Sequence, residues 1–192
     1  MCIRDRFGDL RVWDNTALEQ ITLQGVAISA RCLLPIVQGG ADADVARAIL
    51  ETKPAGIGTC GGSEQVVTHA HGRTTIVRFA RVTLVPIALN IRLRLGAGFP
   101  SNGITFIKRR CAAWVSGDYA ALEGRFETSG LEIGERLDVR RLLTPIQSVP
   151  GHQVIEYTVT LREGGGPLPD LPLLTQRYTL RPEDVTVGLS AG

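Results

Sequence analysis

No sign of charge dominates this chain: 21 Lys and Arg stand against 19 Asp and Glu, a formal net charge of +2. A nucleic-acid or membrane-surface partner is read from a basic stripe, and so slight an excess argues for neither. Long apolar runs are also missing. Residues 82–95 come nearest, but Pro86, Asn90, Arg92 and Arg94 interrupt them, well short of the ~20 residues that a membrane-spanning helix requires. The four cysteines, Cys2, Cys32, Cys60 and Cys111, lie far apart and form no CxxC. That spacing suggests neither a zinc knuckle nor a compact disulfide framework, and the four read as reduced intracellular thiols. The N-terminus lacks the basic-then-apolar order of a secretory signal.

What is present is an ordinary globular composition. With 192 residues, 44% hydrophobic and 21% charged, the chain can bury a sizeable core as one domain or two small ones. The opening Met1-Cys2-Ile3-Arg4-Asp5-Arg6 looks like a translated sequencing adapter, so residues 1–6 are set aside as a non-native or disordered leader with the true N-terminus missing. The expected division is then a middle α+β domain over residues 7–83, not necessarily complete, and a C-terminal α+β domain over residues 84–192.

Residues 10–37 read as short strands, around Arg11-Val12-Trp13, Ile21-Thr22-Leu23, Ala27-Ile28-Ser29 and residues 33–37, broken by Asp14-Asn15 and Gly25. After Gly39-Gly40, Asp42 or Asp44 is placed to cap a helix with Val45, Ala48 and Ile49 on one face, ending before Pro54. Residues 53–62, rich in glycine, form a loop with unusual backbone angles. Strands over 64–70 and 74–81 flank a hairpin turn at His71-Gly72-Arg73. Residues 86–95 make the clearest strand, with Ile87, Leu89, Ile91, Leu93 and Leu95 alternating against Asn90, Arg92 and Arg94.

Further on, Ile104, Ile107, Cys111 and Trp114 or Val115 recur at helical spacing, with Lys108 and Arg109 toward solvent and Gly117 as C-cap. A second helix is expected over residues 135–143, striped by Val139, Leu142, Leu143 and Ile146 and ended or kinked by Pro145. Strands over 153–161, 176–180 and 184–189 close the chain, with a loop at 164–169. The expected class is α+β: two small domains, each a mostly antiparallel or mixed sheet with helices packed on one face.

The sequence presents no constellation of residues that a reaction would need. His69 and His71, two apart on an expected strand, would share a face and could ligate a metal only with a third ligand from elsewhere. Residues 56–61 have GxGxxG spacing, yet they follow a helix and precede a strand, the reverse of a dinucleotide site. Asp42 and Asp44 lack the alternating oxygen ligands of a calcium loop. Lys108-Arg109-Arg110 reads as a solvated helix face. Cys60 with His69 or His71 could be a nucleophile and base, but glycines flank Cys60 where a thiolate would want a helix start. No catalytic, cofactor-binding or metal-ligating residue is assigned, no cofactor is expected, and the chain is not expected to be an enzyme.

Two stretches resemble a known family. Asp42-Ala43-Asp44-Val45-Ala46-Arg47-Ala48-Ile49, followed by Thr52-Lys53-Pro54-Ala55-Gly56-Ile57-Gly58-Thr59, resembles the helix and "KPxGxxT" loop of the baseplate J-like proteins. Its flanks, Ile36-Val37-Gln38-Gly39-Gly40 before it and the hairpin of residues 64–81 after it, agree with that family. Ile133-Gly134-Glu135, continuing to Arg141-Leu142-Leu143-Thr144-Pro145-Ile146-Gln147-Ser148-Val149-Pro150-Gly151, is similar to the family's "IGxxxxxSRLxxPIxxVPGV" stretch. Arg140-Arg141 replaces the usual Ser-Arg, His152 stands where an apolar residue is common, and residues 173–189 match loosely. The resemblance covers most of residues 10–190 and is to the family's middle and C-terminal region. It implies a virion structural protein, a wedge subunit of a contractile phage-type tail baseplate, made in the host bacterial cytoplasm. Implied partners are other wedge and hub proteins and further copies of itself, with no nucleic acid and no membrane.

That reading expects Trp13, Tyr119 and Phe126 to be partly exposed as subunit contacts. Two rivals are a metal-dependent hydrolase using His69, His71 and a distant carboxylate, and a small ligand-binding module using residues 56–62.

Overall fold

A computed structural model describes residues 9–118 and 130–190. The leader at residues 1–6, Tyr119 and Phe126 lie outside the described residues. The chain has an α+β fold of mixed sheets with helices. It divides into two compact units, Met1–Thr83 with Pro172–Gln176, and Leu84–Leu171 with Arg177–Gly192. The short return to the first unit is held by backbone bonds from Leu174 N–H to Gln24 O, 3.3 Å, and from Thr83 N–H to Thr175 O, 2.8 Å.

The first unit begins with β1 (Asp9–Asn15), the small hairpin β2 (Ile21–Leu23) and β3 (Val26–Ile28), and β4 (Cys32–Gln38). Helix α1 (Asp42–Thr52), the two-residue β5 (Gly58–Thr59), β6 (Ser63–Thr68) and β7 (Thr74–Arg81) follow. The sheet order is β1-β4-β7-β6, with β5 alongside β4. β4 is antiparallel to β1 and parallel to β7, so α1 lies on the crossover between two parallel strands. A central strand of this kind is covered on both faces, which explains why Leu34, Pro35, Ile36 and Val37 are apolar without alternation. α1 sets Val45, Ala46, Ala48 and Ile49 against Val37, Val67, Val77 and Phe79.

The cap of α1 differs from expectation. Ala41 is the N-cap and makes no side-chain cap bond, while Asp42 and Asp44 lie within the first turn. Asp42 is drawn instead to Arg81, whose guanidinium also donates to the carbonyls of Gly39 and Gly40. One cation thus fixes both the double-glycine bend and the helix start, and the acidic side chains still favour the positive end of the helix. The hairpin also differs: β6 ends at Thr68, and His69 N–H donates to Arg73 O across a wider turn, 2.8 Å. His69 and His71 are therefore turn residues and not strand residues.

In the second unit β8 (Thr83–Leu95) is central, antiparallel to β9 (His152–Leu161) and parallel to β11 (Val185–Leu189), and it also pairs with β10 (Gln176–Thr179). Ile87, Leu89, Ile91 and Leu93 are fully or almost fully buried, while Asn90, Arg92 and Arg94 are exposed. Helix α2 (Gly103–Ser116) covers that apolar row with Ile107, Cys111, Trp114 and Val115, and Gly117 closes it in the left-handed conformation. Among the described residues, no helix is long and apolar enough to cross a membrane.

The second helix begins later than its pattern suggested. A 3-10 turn at Val139–Leu142 leads into α3 (Leu143–Gln147), and Asp138 caps the turn by accepting from Arg140 N–H, 3.1 Å. Pro145 falls in the first turn of α3, where its missing N–H costs nothing, so it neither ends nor kinks the helix. Arg110 is a second correction. It is buried, and it donates to Ser148 Oγ at 2.9 Å and Ser148 O at 3.2 Å, joining α2 to the end of α3.

A buried guanidinium that loses its acceptors, or acceptors that lose their cation, destabilise strongly. Arg110→Ala should lower unfolding free energy by about 2–4 kcal/mol in urea titrations. The exposed Arg109→Ala on the same helix should stay within about 0.5 kcal/mol of the parent.

Candidate functional site

The residues that carry the resemblance mostly hold backbone in place. In the first unit the segment 53–62 is fixed at several points. Lys53 Nζ donates to Ile57 O, 2.9 Å, and curls the start of the loop. Gly58 and Thr59 then pair with Cys32 and Leu33, and Cys60 N–H donates to Leu33 O, 2.8 Å. Arg78 N–H donates to Thr59 Oγ1, 2.8 Å. β4 and β7 pair directly only at Ile36 with Ala80 and Val37 with Arg81, so the loop bonds to β4 at Cys32 and Leu33 and to β7 at Arg78.

Gly61 makes this possible. Its φ is +144°, and a Cβ there would come within 2.6 Å of Ala80 N and closer still to the Phe79 carbonyl. No L side chain fits. Gly56, at the loop tip, also has positive φ, +80°, but open space around it.

Two clefts flank this segment. One, of about 520 Å³, is lined by Val12, Asp14, Arg31, Leu33, Pro54 and Ile57 among others. The other, about 860 Å³, is lined by Cys32, Leu34, Cys60, Gly61, Arg78 and Arg81 among others. The ligand-binding alternative needs a pocket at residues 56–62, and this groove is one. Its cations are engaged: Arg78 pairs with Glu64 at 2.7 Å, and Arg81 with Asp42.

In the second unit, Arg141 lies over the Trp114 ring at 5.2 Å, and Leu142 beside it is completely buried. Pro145, Ile146 and Val149 are buried. Ser148 Oγ donates to Pro145 O and accepts from Arg110. Gly151, with φ +80°, approaches the backbone of Gly98 and Phe99, where a Cβ would lie 2.6 Å from Gly98 C, and Gly96 N–H donates to Gly151 O, 2.9 Å.

Of the reactive groups weighed from sequence, the structure brings the two histidines together. The His69 and His71 rings stack at 5.2 Å, and His69 Nε2 lies 2.9 Å from Thr75 Oγ1. Among the described residues, no group of three or more His, Cys, Asp or Glu is placed to hold a metal. Cys60 Sγ donates to Leu33 O on β4, 3.4 Å. Burial, and next the neighbouring Cys60, push the Cys32 thiol up to about 12, and burial alone does the same for Cys111. His152 sits edge-on to Phe99, ring centroids 5.8 Å apart.

Sequence reasoning passed over one polar hub. Asn15, almost fully buried, donates through Nδ2 to Glu19 O, Ile28 O and Ser29 O and accepts from Ala17 N–H. An Asn after a strand reads only as a turn former, and nothing local marks one whose amide gathers carbonyls from 13 and 14 residues away. No family model matches the sequence, and no curated protein matches it.

Gly61→Ala should destabilise by roughly 3 kcal/mol or more, because it adds a backbone clash to backbone strain. Gly56→Ala should cost only about 1–2 kcal/mol. Urea titration of the two variants checks the contrast. A pH effect follows from His152. Burial holds its imidazole below the ordinary value, partly opposed by the carbonyls of Val149 and Pro150. The unfolded chain then takes up the proton more readily than the folded one. This contribution to stability is complete above about pH 6.5 and is lost as pH falls through the unfolded value. His152→Gln should flatten the decline in urea midpoint measured from about pH 8 to about pH 5.

Proposed function

We propose that this protein is a structural subunit of a contractile phage-type tail baseplate, a wedge component of the baseplate J-like kind. On this reading it mediates baseplate assembly and the rearrangement that triggers the sheath. The observation that carries the reading is the occurrence, in the family's order and spacing, of the stretches at residues 42–59 and 133–151. Their local geometry is consistent with it. Lys53, Thr59, Arg141, Ser148 and Gly151 each hold backbone or packing, which suits a protein that transmits force through assembled contacts.

A wedge subunit needs surfaces for its neighbours. Val66 on β6 and Ile76 on β7 are direct cross-strand partners, and they are 63% and 48% exposed. They stand on the opposite side of the hairpin from Val67 and Val77, which face α1. Adjacent exposed apolar side chains on a regular hairpin suit a protein contact. Trp13 is half-buried, with Arg11 4.8 Å over its ring. On this reading the protein resides in the tail baseplate after assembly in the host cytoplasm, and its partners are wedge and hub proteins and copies of itself.

Particles purified from the source lysate should contain this chain, with its density in the baseplate by cryo-electron microscopy. Tail particles that assemble fully without it would refute the assignment. Val66→Asp combined with Ile76→Asp should leave the melting temperature of the isolated chain nearly unchanged and abolish its incorporation into particles. Normal incorporation would remove this hairpin from the contact surface.

A further inference from the structure

Cys32 and Cys60 are 28 positions apart in sequence but adjacent in the first unit. Cys32 pairs with Gly58 in the β4–β5 ladder, and the Cys60 amide continues that ladder by donating to Leu33 O. Both sulfurs turn to the same acceptor, with Leu33 O 3.4 Å from Cys60 Sγ and 3.8 Å from Cys32 Sγ. They differ in access. Cys32 is 6% exposed, whereas Cys60 is half-buried, and both line the open 860 Å³ groove.

We infer that Cys32 and Cys60 are a redox pair that closes to a disulfide under a thiol-disulfide oxidant and reopens under a thiol reductant, locking the glycine-rich segment onto β4. The chain supplies what the exchange needs. Cys60 is the accessible thiol, and Gly62 close behind it, with open space around it, leaves room for the small backbone movement by which a bridge reaches its geometry. Cys32, buried and with its thiol raised by that burial, is the poorer first nucleophile, and it acts second, its proton passing to the departing glutathione sulfur. With oxidised glutathione, the Cys60 thiolate attacks one sulfur, forming a mixed disulfide and releasing one glutathione thiol. Cys32 then attacks Cys60 Sγ and releases the second. Two protein thiols become one disulfide, and their two electrons and two protons end on two reduced glutathiones.

The bridge would tie Gly58, Thr59 and Cys60 covalently to β4 and add to the bonds that already hold them there. Cys111 is an internal control, because it is fully buried in the other unit.

The test uses the full chain, incubated folded with oxidised glutathione, quenched by acid and mapped by non-reducing peptide mass spectrometry. The expected product is a Cys32–Cys60 linked peptide that a thiol reductant reverses, with Cys111 alkylated only after denaturation. The urea midpoint should rise on oxidation and fall back on reduction, and Cys60→Ser should abolish both the link and the shift. A stable glutathione adduct on Cys60 without linkage would overturn the inference. So would bonding of Cys60 to Cys2 or to another copy, or a link that leaves the midpoint unchanged.

Discussion

The close approach of Gly61 to the backbone of Phe79 and Ala80 is the constraint on which the first unit depends. β4 and β7 are parallel and must be joined by a crossover, and the chain between β5 and β6 passes hard against the backbone of β7 at Phe79 and Ala80. Only a residue without Cβ passes there. That passage sets Thr59 under the Arg78 amide and Cys60 beside Leu33, and β6 then starts in register with Phe79 opposite Ser63. A one-residue slip would turn Val67 and Val77 away from α1.

The second unit is organised by a comparable contact between main chains. Gly151 lies against Gly98 and Phe99, which brings the start of β9 to the end of β8 and fixes their antiparallel register. Arg110 then links α2 to Ser148 just before that point. The residues resembling a family motif thus have physical tasks that can be named one by one. These residues hold backbone against backbone, while Val66 and Ile76 stay exposed on the β6–β7 hairpin.

Much of this was legible in sequence. The alternation of residues 86–95 marked β8 because one side of a half-buried strand must be apolar, and the spacing of Ile107, Cys111 and Trp114 marked α2 for the analogous reason. Gly117 was readable as a cap since few other residues take its conformation. The failures share one cause. Asp42 looked like a cap and Arg110 like a solvated charge because their partners, Arg81 and Ser148, lie 39 and 38 positions away. Helix α3 was placed too early because Pro145 is equally compatible with a helix's first turn and with its end.

The sequence by itself determined the class of fold, the central strands and the helical faces, because hydrophobic periodicity is a local consequence of strand and helix geometry. It also marked residues 53–62 as a segment of unusual backbone, since glycine is the residue such angles require. Only the tertiary structure decided which glycine is indispensable, which arginine is buried, and that two thiols so far apart in sequence face one carbonyl. Those are properties of pairs of distant residues. They come into being when the chain closes on itself, and no window of neighbouring residues contains both members.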